Sequence, residues 1–539
     1  MARRASCRFR SACVYVNAAA TLTNGGANGG IDILDRGGGK HVIEPTLWDL
    51  LERRVATSPD HLCMVDERGV RRSFADLADE ATQVAAGLHE LGVRPSQVVA
   101  WQLPTWIETA VVFTALSRLD IVQVPLLPIY RAREVEHALR TTNAEFLIMG
   151  ASSSDHHVGV ARPIVIDRHS LPRADTTQLP PPPTDAHAVR WIFHTSGTTA
   201  TPKGARHTDA SIIAASASYT EAIGLTDDDR LPLAFPVAHI GGLIVHCCSY
   251  LAGSASIFVE RFEPASVIEV LAREHVTLPG PSQVFHLAYM DAQRRQPQQR
   301  LFPHARGYTN GGAAKNPELH FQLKELMGVG LYSNYGLTEC PLALCTPLSA
   351  PDDKRATTEG RPVRGMQMRI VDADEHDVVA GGVGELRLKG PLLFAGYVDA
   401  SLDADAFDAR GFFRTGDLAR QDDEGFVQIV GRLKDIIIRK GENISAKEVE
   451  DLLFEHPAVR EVAVVGVPDP VSGERCCAII VAADPSQPLP VERLTAYLRD
   501  AGLMIQKIPE QWIALDALPR NQVGKVLKNE LRTHVIAQG

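Results

Sequence analysis

The sequence predicts an α/β protein with a large N-terminal domain of helix-covered parallel sheets, a small barrel-like part, and a smaller, mobile α+β domain at the C-terminal end. Three observations predict this fold. At 539 residues the chain is longer than one hydrophobic core usually supports. Short apolar runs alternate with helical patterns as far as about residue 335. After residue 369, short strands separated by glycine-rich turns replace that alternation.

The alternation of strands and helices is clearest between residues 76 and 121. Residues 76–91 have a helical pattern, and residues 98–103 form a short apolar run that Pro104 ends, as in a buried strand. A second helical pattern follows, and a second strand begins at Ile121. Strands that alternate with helices in this way form parallel sheets with helices on their faces.

The last part of the sequence has a different pattern. Residues 369–430 contain short alternating strands, which predict antiparallel sheet or barrel. Ser445 and Glu448 have the spacing of a capping box, so a helix is expected to begin there. The predicted divisions are a disordered tail at 1–40, a large domain at 41–432 and a small C-terminal lid domain at 433–539.

Charge and cysteine content exclude several classes of protein. The formal net charge is -10, with 55 basic and 65 acidic side chains, which disfavours general nucleic-acid binding. None of the nine cysteines forms a C-x-x-C pattern, so we expect reduced thiols and a cytoplasmic protein. No apolar stretch approaches the roughly 18 residues of a membrane helix, so no transmembrane segment is expected.

The first residues have a composition of their own. Residues 1–31 contain no acidic side chain, and arginines cluster at the start, as in a transit peptide. Glycines between residues 25 and 39 favour a disordered or misassigned extension over a targeting segment.

A run of hydroxyls and glycines follows directly on the strand predicted at 189–194. Backbone N–H groups and hydroxyls in such a run can converge on phosphate oxygens, and Lys203 adds a positive charge. The lysine precedes the second glycine, so the run is not a Walker loop, and a merely flexible loop is the alternative. The candidate phosphate-binding residues are Thr195, Ser196, Gly197, Thr198, Thr199 and Lys203.

This run resembles the signature loop of the adenylate-forming superfamily, which includes acyl-CoA synthetases, 4-coumarate ligases, luciferases and peptide-synthetase adenylation domains. Ala200 stands where the family usually has glycine, so we expect a slightly reshaped loop. Further segments match in the family's order from about Trp48 to Leu531. Residues 441–450 and 236–242 most resemble bacterial fatty-acid and alicyclic-carboxylate CoA ligases.

The resemblance assigns nucleotide and metal roles to residues 334–339. It implies that Tyr335, beside Asn334, stacks on adenine, that Thr338 contacts the α-phosphate and that Glu339 holds Mg²⁺. A carboxylate oxygen is the kind of ligand that this hard cation prefers.

Three other segments complete the implied nucleotide site. Gly312 and Ala313 resemble the segment whose backbone borders adenine and the acyl pocket, and glycine permits that close approach. Asp417 corresponds to the aspartate that binds the ribose hydroxyls, and Arg432 to an arginine that reaches the ribose. Lys434 stands at the implied pivot between the domains, where many family members carry aspartate.

The resemblance also implies residues for the two half-reactions. Lys525 matches the lysine that enters the site for the first, and Lys440 with Gly441 matches the loop that approaches coenzyme A in the second. His239 matches a histidine beside the acyl and pantetheine path, for which a core or capping role is an equal alternative.

The implied substrates are a small carboxylic acid, ATP with Mg²⁺, and coenzyme A. A carboxylic acid with a pKa of roughly 4 is already an anion at neutral pH, so no general base is needed. Repulsion between this anion and the triphosphate is the obstacle, and positioning with positive charge lowers it.

Three other functions stay open at this stage. The chain could load a carrier protein from acyl-AMP, act as a luciferase-type oxygenase, or be a catalytically inactive nucleotide-binding protein. The acid could be fatty, alicyclic or aromatic, because the residues that set the depth of the pocket, expected within 234–344, cannot be oriented from sequence. The oligomeric state is equally open.

Overall fold

The computed structural model describes residues 45–151, 159–195, 202–312, 315–439, 442–469, 472–521 and 524–538. Over these residues the chain is a mixed α/β protein with parallel sheets, which confirms the predicted fold class. The predicted tail at 1–40 lies outside the described residues. None of the helices in these ranges combines the length and the apolar character that a membrane span requires.

Two largely parallel sheets are built from the segment that ends at Phe258. Its elements are α1 (Leu47–Thr57), β1 (Leu62–Asp66), β2 (Arg71–Ser73), α2 (Phe74–Glu90), β3 (Val98–Gln102), α3 (Ile107–Arg118), β4 (Val122–Pro125), α4 (Ala132–Thr142), β5 (Phe146–Gly150), β6 (Arg162–Ile166), β7 (Val189–Thr195), β8 (Lys203–Thr208), α5 (Asp209–Ala222), β9 (Arg230–Leu233), α6 (Ile240–Ala252) and β10 (Ala255–Phe258). The larger sheet has the strand order β6-β5-β3-β4-β7-β8, and the smaller has β2-β1-β10-β9. Both end in an antiparallel pair, β7–β8 and β1–β2. The β-α-β alternation predicted from the sequence is confirmed.

The core of this segment is formed where internal helices meet the sheets. Helix α3 is buried from Ile107 to Ser117, as expected for a helix that is apolar around most of its circumference. The Phe113 ring on α3 contacts both Trp191 on β7 and His246 on α6, with centroid distances of 6.3 and 5.6 Å. This cluster joins the larger sheet to α6, which lines the candidate site.

Two smaller sheets follow. The next elements are α7 (Pro264–Arg273), α8 (Gln283–Arg295), β11 (Tyr308–Asn310), α9 (Glu318–Met327), β12 (Leu331–Leu337), β13 (Cys340–Cys345), α10 (Asp352–Thr357), β14 (Arg361–Pro362), β15 (Gln367–Val371), β16 (Gly384–Lys389), α11 (Asp403–Ala406), β17 (Phe413–Gln421) and β18 (Val427–Arg432). Strands β11 to β14 form a mixed sheet in chain order. Strands β15 to β18 form an antiparallel sheet, as the alternating pattern from residue 369 predicts.

The C-terminal segment is an α+β unit. It comprises β19 (Ile436–Arg439), β20 (Glu442–Ser445), α12 (Ala446–Phe454), β21 (Val459–Asp469), β22 (Gly473–Ala482), α13 (Val491–Asp500), β23 (Gln511–Ala514) and α14 (Lys528–Gln538). The Ser445 hydroxyl caps α12 as predicted, by accepting from the Glu448 N–H at 3.3 Å. The other half of the predicted capping box is replaced by an ion pair, because the Glu448 carboxylate bonds to Lys507 at 2.6 Å.

Helix α12 also joins the C-terminal unit to the segment before β12. The Lys447 ammonium donates to the Lys315 carbonyl at 3.2 Å and pairs with Asp451 at 2.7 Å. The Asn316 amide donates to the Asp451 carbonyl at 3.0 Å. These contacts hold the C-terminal unit over the edge of the mixed sheet, where the candidate site lies.

Three antiparallel pairs carry the predicted site motifs. Thr195 is opposite Lys203 in β7–β8, so the two ends of the hydroxyl-rich run are adjacent. The β12–β13 hairpin carries residues 334–339 around its turn. Asp417 is opposite Arg432 in β17–β18. Strand register therefore places residues that are far apart in sequence side by side.

Gly336 provides a test of the β12–β13 hairpin. A Cβ added at this position would overlap the Pro341 carbonyl, so we expect Gly336→Ala to lower the free energy of unfolding by about 1–3 kcal/mol. Thermal or denaturant unfolding checks this. Gly431→Ala is the matched control, because its Cβ would meet only Ser445 Oγ, at 3.4 Å. Equal stability losses in the two variants would contradict the assigned close approach.

Candidate active site

Two cavities meet beside the C-terminal unit. One has a volume of about 500 Å³ and the other about 530 Å³. The residues that line both are Gly312, Asn334, Gly336, Arg432, Lys434, Asn521 and Lys525. The two cavities can therefore be treated as parts of one site, with Lys525 where they join.

The structure brings together the described members of the predicted site. Thr195, Lys203, His239, Thr338 and Glu339 line the first cavity, Tyr335 and Asp417 line the second, and Gly312, Asn334, Arg432, Lys434 and Lys525 line both. Ser196, Gly197, Thr198, Thr199, Ala313, Lys440 and Gly441 lie outside the described residues. The described residues come from seven separate stretches of chain, at 195–203, 239, 312, 334–339, 417, 432–434 and 525, so their meeting is a product of the fold.

A cluster of hydrogen bonds and charge joins Tyr335 and Arg432, which are half-buried, to Asp417, which is buried. The Tyr335 hydroxyl donates to Asp417 Oδ2 at 2.6 Å, and Arg432 Nε lies 2.5 Å from Asp417 Oδ1. Burial and the neighbouring Asp417 carboxylate raise the pKa of Tyr335, so this hydroxyl stays a donor. Burial opposes the charge of Arg432, but Asp417 outweighs it and raises the pKa of the guanidinium. The cluster holds the Tyr335 ring in one orientation against the second cavity.

A second cluster surrounds Glu339 at the turn after β12. Glu339 Oε1 accepts from the Tyr397 hydroxyl at 2.7 Å, and the Glu339 carbonyl accepts from the Phe394 N–H at 2.8 Å. Lys203 Nζ lies 5.2 Å from the centroid of the Tyr397 ring, a cation–π arrangement. Tyr397 therefore connects the carboxylate to the lysine at the end of the hydroxyl-rich run.

His207 contacts the backbone of the same turn. Its Nε2 donates to the Thr338 carbonyl at 2.7 Å, and burial lowers its pKa to about 4, so the ring is neutral at physiological pH. Sequence reasoning missed both His207 and Tyr397. Neither belongs to a motif, and Tyr397 reaches Glu339 only because the loop around it pairs with β8.

Glu339 fits the role of a ligand for Mg²⁺ that arrives with nucleotide. Within the described ranges, no group of three or more His, Cys, Asp or Glu side chains is arranged to hold a metal ion. Mg²⁺ is commonly held by one or two carboxylates together with substrate phosphates, so a lone oriented carboxylate beside Lys203 matches that donor set.

Positive charge concentrates around Lys525. Burial, and then the nearby Arg432 and Lys434, lower the pKa of Lys525 to about 8. Burial and Arg432 also lower the pKa of Lys434. A partly buried ammonium among other cations is stabilised by an anionic ligand, so this part of the site is suited to phosphate or carboxylate.

The Lys525 turn is itself held in place. The backbone N–H of Lys525 donates to the Asn521 side chain at 2.9 Å, and Gly524 has a positive φ of 81° that favours glycine. A Cβ on Gly524 would come within 2.9 Å of Ser282 Oγ, so the turn packs directly on the segment that starts α8.

His239 caps a helix and lines the first cavity. Its Nδ1 accepts from the Gly241 N–H at 3.1 Å at the start of α6. Burial and then Lys525 lower the pKa of His239 to about 4, so the ring is neutral, with its proton on Nε2. The structure thus gives the histidine a capping contact, which was the alternative to a role beside the substrate.

The fold and the residues gathered at the two cavities are those of an adenylate-forming enzyme. The family model of AMP-binding enzymes matches residues 51–398, and that of the AMP-binding enzyme C-terminal domain matches residues 448–525. The chain belongs to this family of adenylate-forming enzymes.

Its relatives include ligases with different acceptors. The medium-chain fatty-acid–CoA ligase of Escherichia coli (strain K12) is 28% identical over 92% of this chain and 91% of its own length. The salicyl-AMP ligase / salicyl-S-ArCP synthetase of Mycobacterium tuberculosis (strain ATCC 25618 / H37Rv) is 31% identical over 90% of each chain.

A solved relative has a similar structure. The o-succinylbenzoate coenzyme A synthetase of Bacillus subtilis, in complex with ATP and magnesium ion, superposes with a TM-score of 0.80 and 27% identity, covering 90% of this chain and 99% of that one.

Tyr397 provides a test of the second cluster. We expect Tyr397→Phe to slow acid-dependent exchange of pyrophosphate into ATP about tenfold, because the loss of one hydrogen bond to a carboxylate costs about 1.5 kcal/mol. Thermal unfolding should change little, because the ring and its contact with Lys203 remain. An unchanged exchange rate would show that Glu339 needs no partner.

Proposed function

We propose that the protein is an ATP-dependent carboxylate–CoA ligase. It joins an acid to ATP to give acyl-AMP and pyrophosphate, and then transfers the acyl group to coenzyme A with release of AMP. A fatty or alicyclic acid is the proposed substrate. The observation that carries the proposal is the position of Lys525, which lies at the junction of the two cavities, next to Arg432 and Lys434.

The first half-reaction follows from the arrangement of charge. Asp417, paired with Arg432, is placed to accept from ribose hydroxyls, and Tyr335 offers its ring to the base. Lys203 faces the outer phosphates and Lys525 the α-phosphate, where the carboxylate attacks phosphorus and pyrophosphate leaves. Mg²⁺ held by Glu339 would neutralise phosphate charge. The acid is already ionised, so the protein needs only to position it and to reduce the repulsion between the carboxylate and the triphosphate.

For the second half-reaction, a different part of the C-terminal unit must face the acyl-AMP. The thiol must approach where pyrophosphate left, and the Lys525 turn occupies that side. The joint at Leu433–Asp435 is a single 3₁₀ turn between β18 and β19, a short segment on which the C-terminal unit could rotate. Rotation there would withdraw Lys525 and present the loop of Lys440 and Gly441, as the family resemblance implies.

An acyl-AMP ligase that loads a carrier protein is the second candidate. The observation that favours it is the relative from Mycobacterium tuberculosis, which is a salicyl-S-ArCP synthetase as well as a salicyl-AMP ligase. Both candidates share the first half-reaction, so only the acceptor separates them.

The two half-reactions provide the test of the proposal. We expect Lys525→Ala to lose acid-dependent pyrophosphate exchange by roughly 10²–10³-fold, because one charge in the transition state is removed. Thioester formation from supplied acyl-AMP should be largely retained with free coenzyme A as the acceptor. Equal loss in both steps would refute the assigned role of Lys525, and acyl transfer only to a carrier protein would favour the second candidate.

The pKa of Lys525 predicts a pH dependence. Because burial and neighbouring cations lower this pKa to about 8, the ammonium loses its proton above about pH 8. We therefore expect kcat/KM for ATP in the first half-reaction to fall above that pH. Lys525→Arg should turn over more slowly but extend the plateau to higher pH, since arginine stays charged. If its profile falls at the same pH, another group such as Lys434 carries the effect.

A further inference from the structure

The first cavity is polar at one end and apolar along α6. His239, at the start of α6, is close enough to Lys525 for the ammonium to affect its pKa. From there Ile240, Gly241, Ile244 and Val245 line the cavity. These positions recur at the spacing of one helix face, so the cavity follows α6 for about one and a half turns away from the charged end.

Tyr219 on α5 lies at the far end of this apolar stretch. One turn earlier on α5, the Ser216 hydroxyl donates to the Ile244 carbonyl at 3.3 Å, and the Ser216 carbonyl accepts from Cys248 Sγ at 3.5 Å. Tyr219 therefore faces the part of α6 around Cys248, and the electrostatic influence of Cys248 on Tyr219 agrees with that position. Cys248 follows His239 by nine positions, which corresponds to roughly 13 Å along the helix.

The Tyr219 hydroxyl also lies near β11. Thr309 on β11 is close enough for its side chain to affect the pKa of this hydroxyl, and both residues line the cavity. Burial raises the pKa of Tyr219, so the group is neutral. The side chain is buried and joins α5 to β11, so its ring and hydroxyl form a wall at this end.

No described cation at this end is available to a second carboxylate. The Arg306 guanidinium is near enough to affect the pKa of Tyr219. Arg306 is nevertheless absent from the described lining of the cavity. It pairs with both oxygens of Asp229 at 2.7 and 2.8 Å and donates to the Ile223 carbonyl at 2.9 Å. An acid with a charged distal end would have to bury that charge without a partner, which is costly.

We propose that Tyr219 closes the acyl cavity and sets the longest acid that the enzyme accepts. The substrate is then a monocarboxylic acid with an uncharged, apolar tail on the order of ten carbon atoms, or a ring system of similar reach, since each carbon of an extended chain adds about 1.3 Å. This inference rests on the proposed function, because it describes the acid of the same first half-reaction.

The experiment measures kcat/KM for pyrophosphate release with saturated acids from four to sixteen carbons. The wild-type protein should be most active near ten carbons and at least tenfold less active at sixteen. Tyr219→Ala should raise activity on the longest acids at least tenfold, and Tyr219→Phe should keep the wild-type profile because the ring remains. Decanedioic acid should be at least a hundredfold poorer than decanoic acid for the wild-type protein.

Tyr250→Ala is the matched control. Tyr250 is a buried tyrosine on α6 that is absent from the described cavity lining, so its removal creates space outside the acyl path. Its length profile should be that of the wild-type protein. If Tyr219→Ala does not fold, Tyr219→Leu shortens the same side chain with less lost volume and should shift the profile in the same direction.

The outcomes separate this inference from the proposed function. An active Tyr219 variant with an unchanged length profile, or a shift of equal size in Tyr250→Ala, would overturn the assignment of Tyr219 alone. Efficient turnover of decanedioic acid would overturn the uncharged tail. A wild-type protein that releases pyrophosphate with none of the acids would overturn the proposed substrate class and this inference with it.

Discussion

The concentration of positive charge around Lys525 is the constraint on which the rest of the site depends. Lys525, Arg432 and Lys434 lie close enough to lower the pKa of both lysines. Asp417 neutralises Arg432 directly, which leaves the two ammonium groups for a ligand. A nucleotide supplies the missing negative charge, so the same cavity that is electrostatically unfavourable when empty favours ATP.

The rigid side of the site is built from pairs of strands. The β7–β8, β12–β13 and β17–β18 pairs each present polar residues to the site, and their registers are set by buried neighbours. His207 and Tyr397 then fix the turn that carries Thr338 and Glu339. Fixed strands suit a reaction in which the nucleophile is already ionised, because positioning supplies most of what the chemistry needs.

The acyl side of the site follows a different principle. It is formed by faces of α5 and α6 whose other faces belong to the core, so its depth depends on how those helices pack. Tyr219 illustrates the point: it lies outside the segment at 234–344 in which the sequence led us to expect the residues that set pocket depth. Its place beside Ile244 and Thr309 results from the crossing of α5 over α6. Small changes at such a position can alter the acid without disturbing the nucleotide site.

The sequence by itself determined the fold class, the alternation of strands and helices, and the motifs that line the two cavities, because these depend on local periodicity and on residues close together in the chain. Residues such as Asp417 and Lys525 were recognisable from their own short segments. Only the tertiary structure decided which of these segments meet, that Tyr397 and His207 hold the turn of Glu339, and that Tyr219 ends the acyl cavity. The physical reason is that such contacts join side chains far apart in sequence, and they arise from strand register and helix packing, which no local pattern encodes.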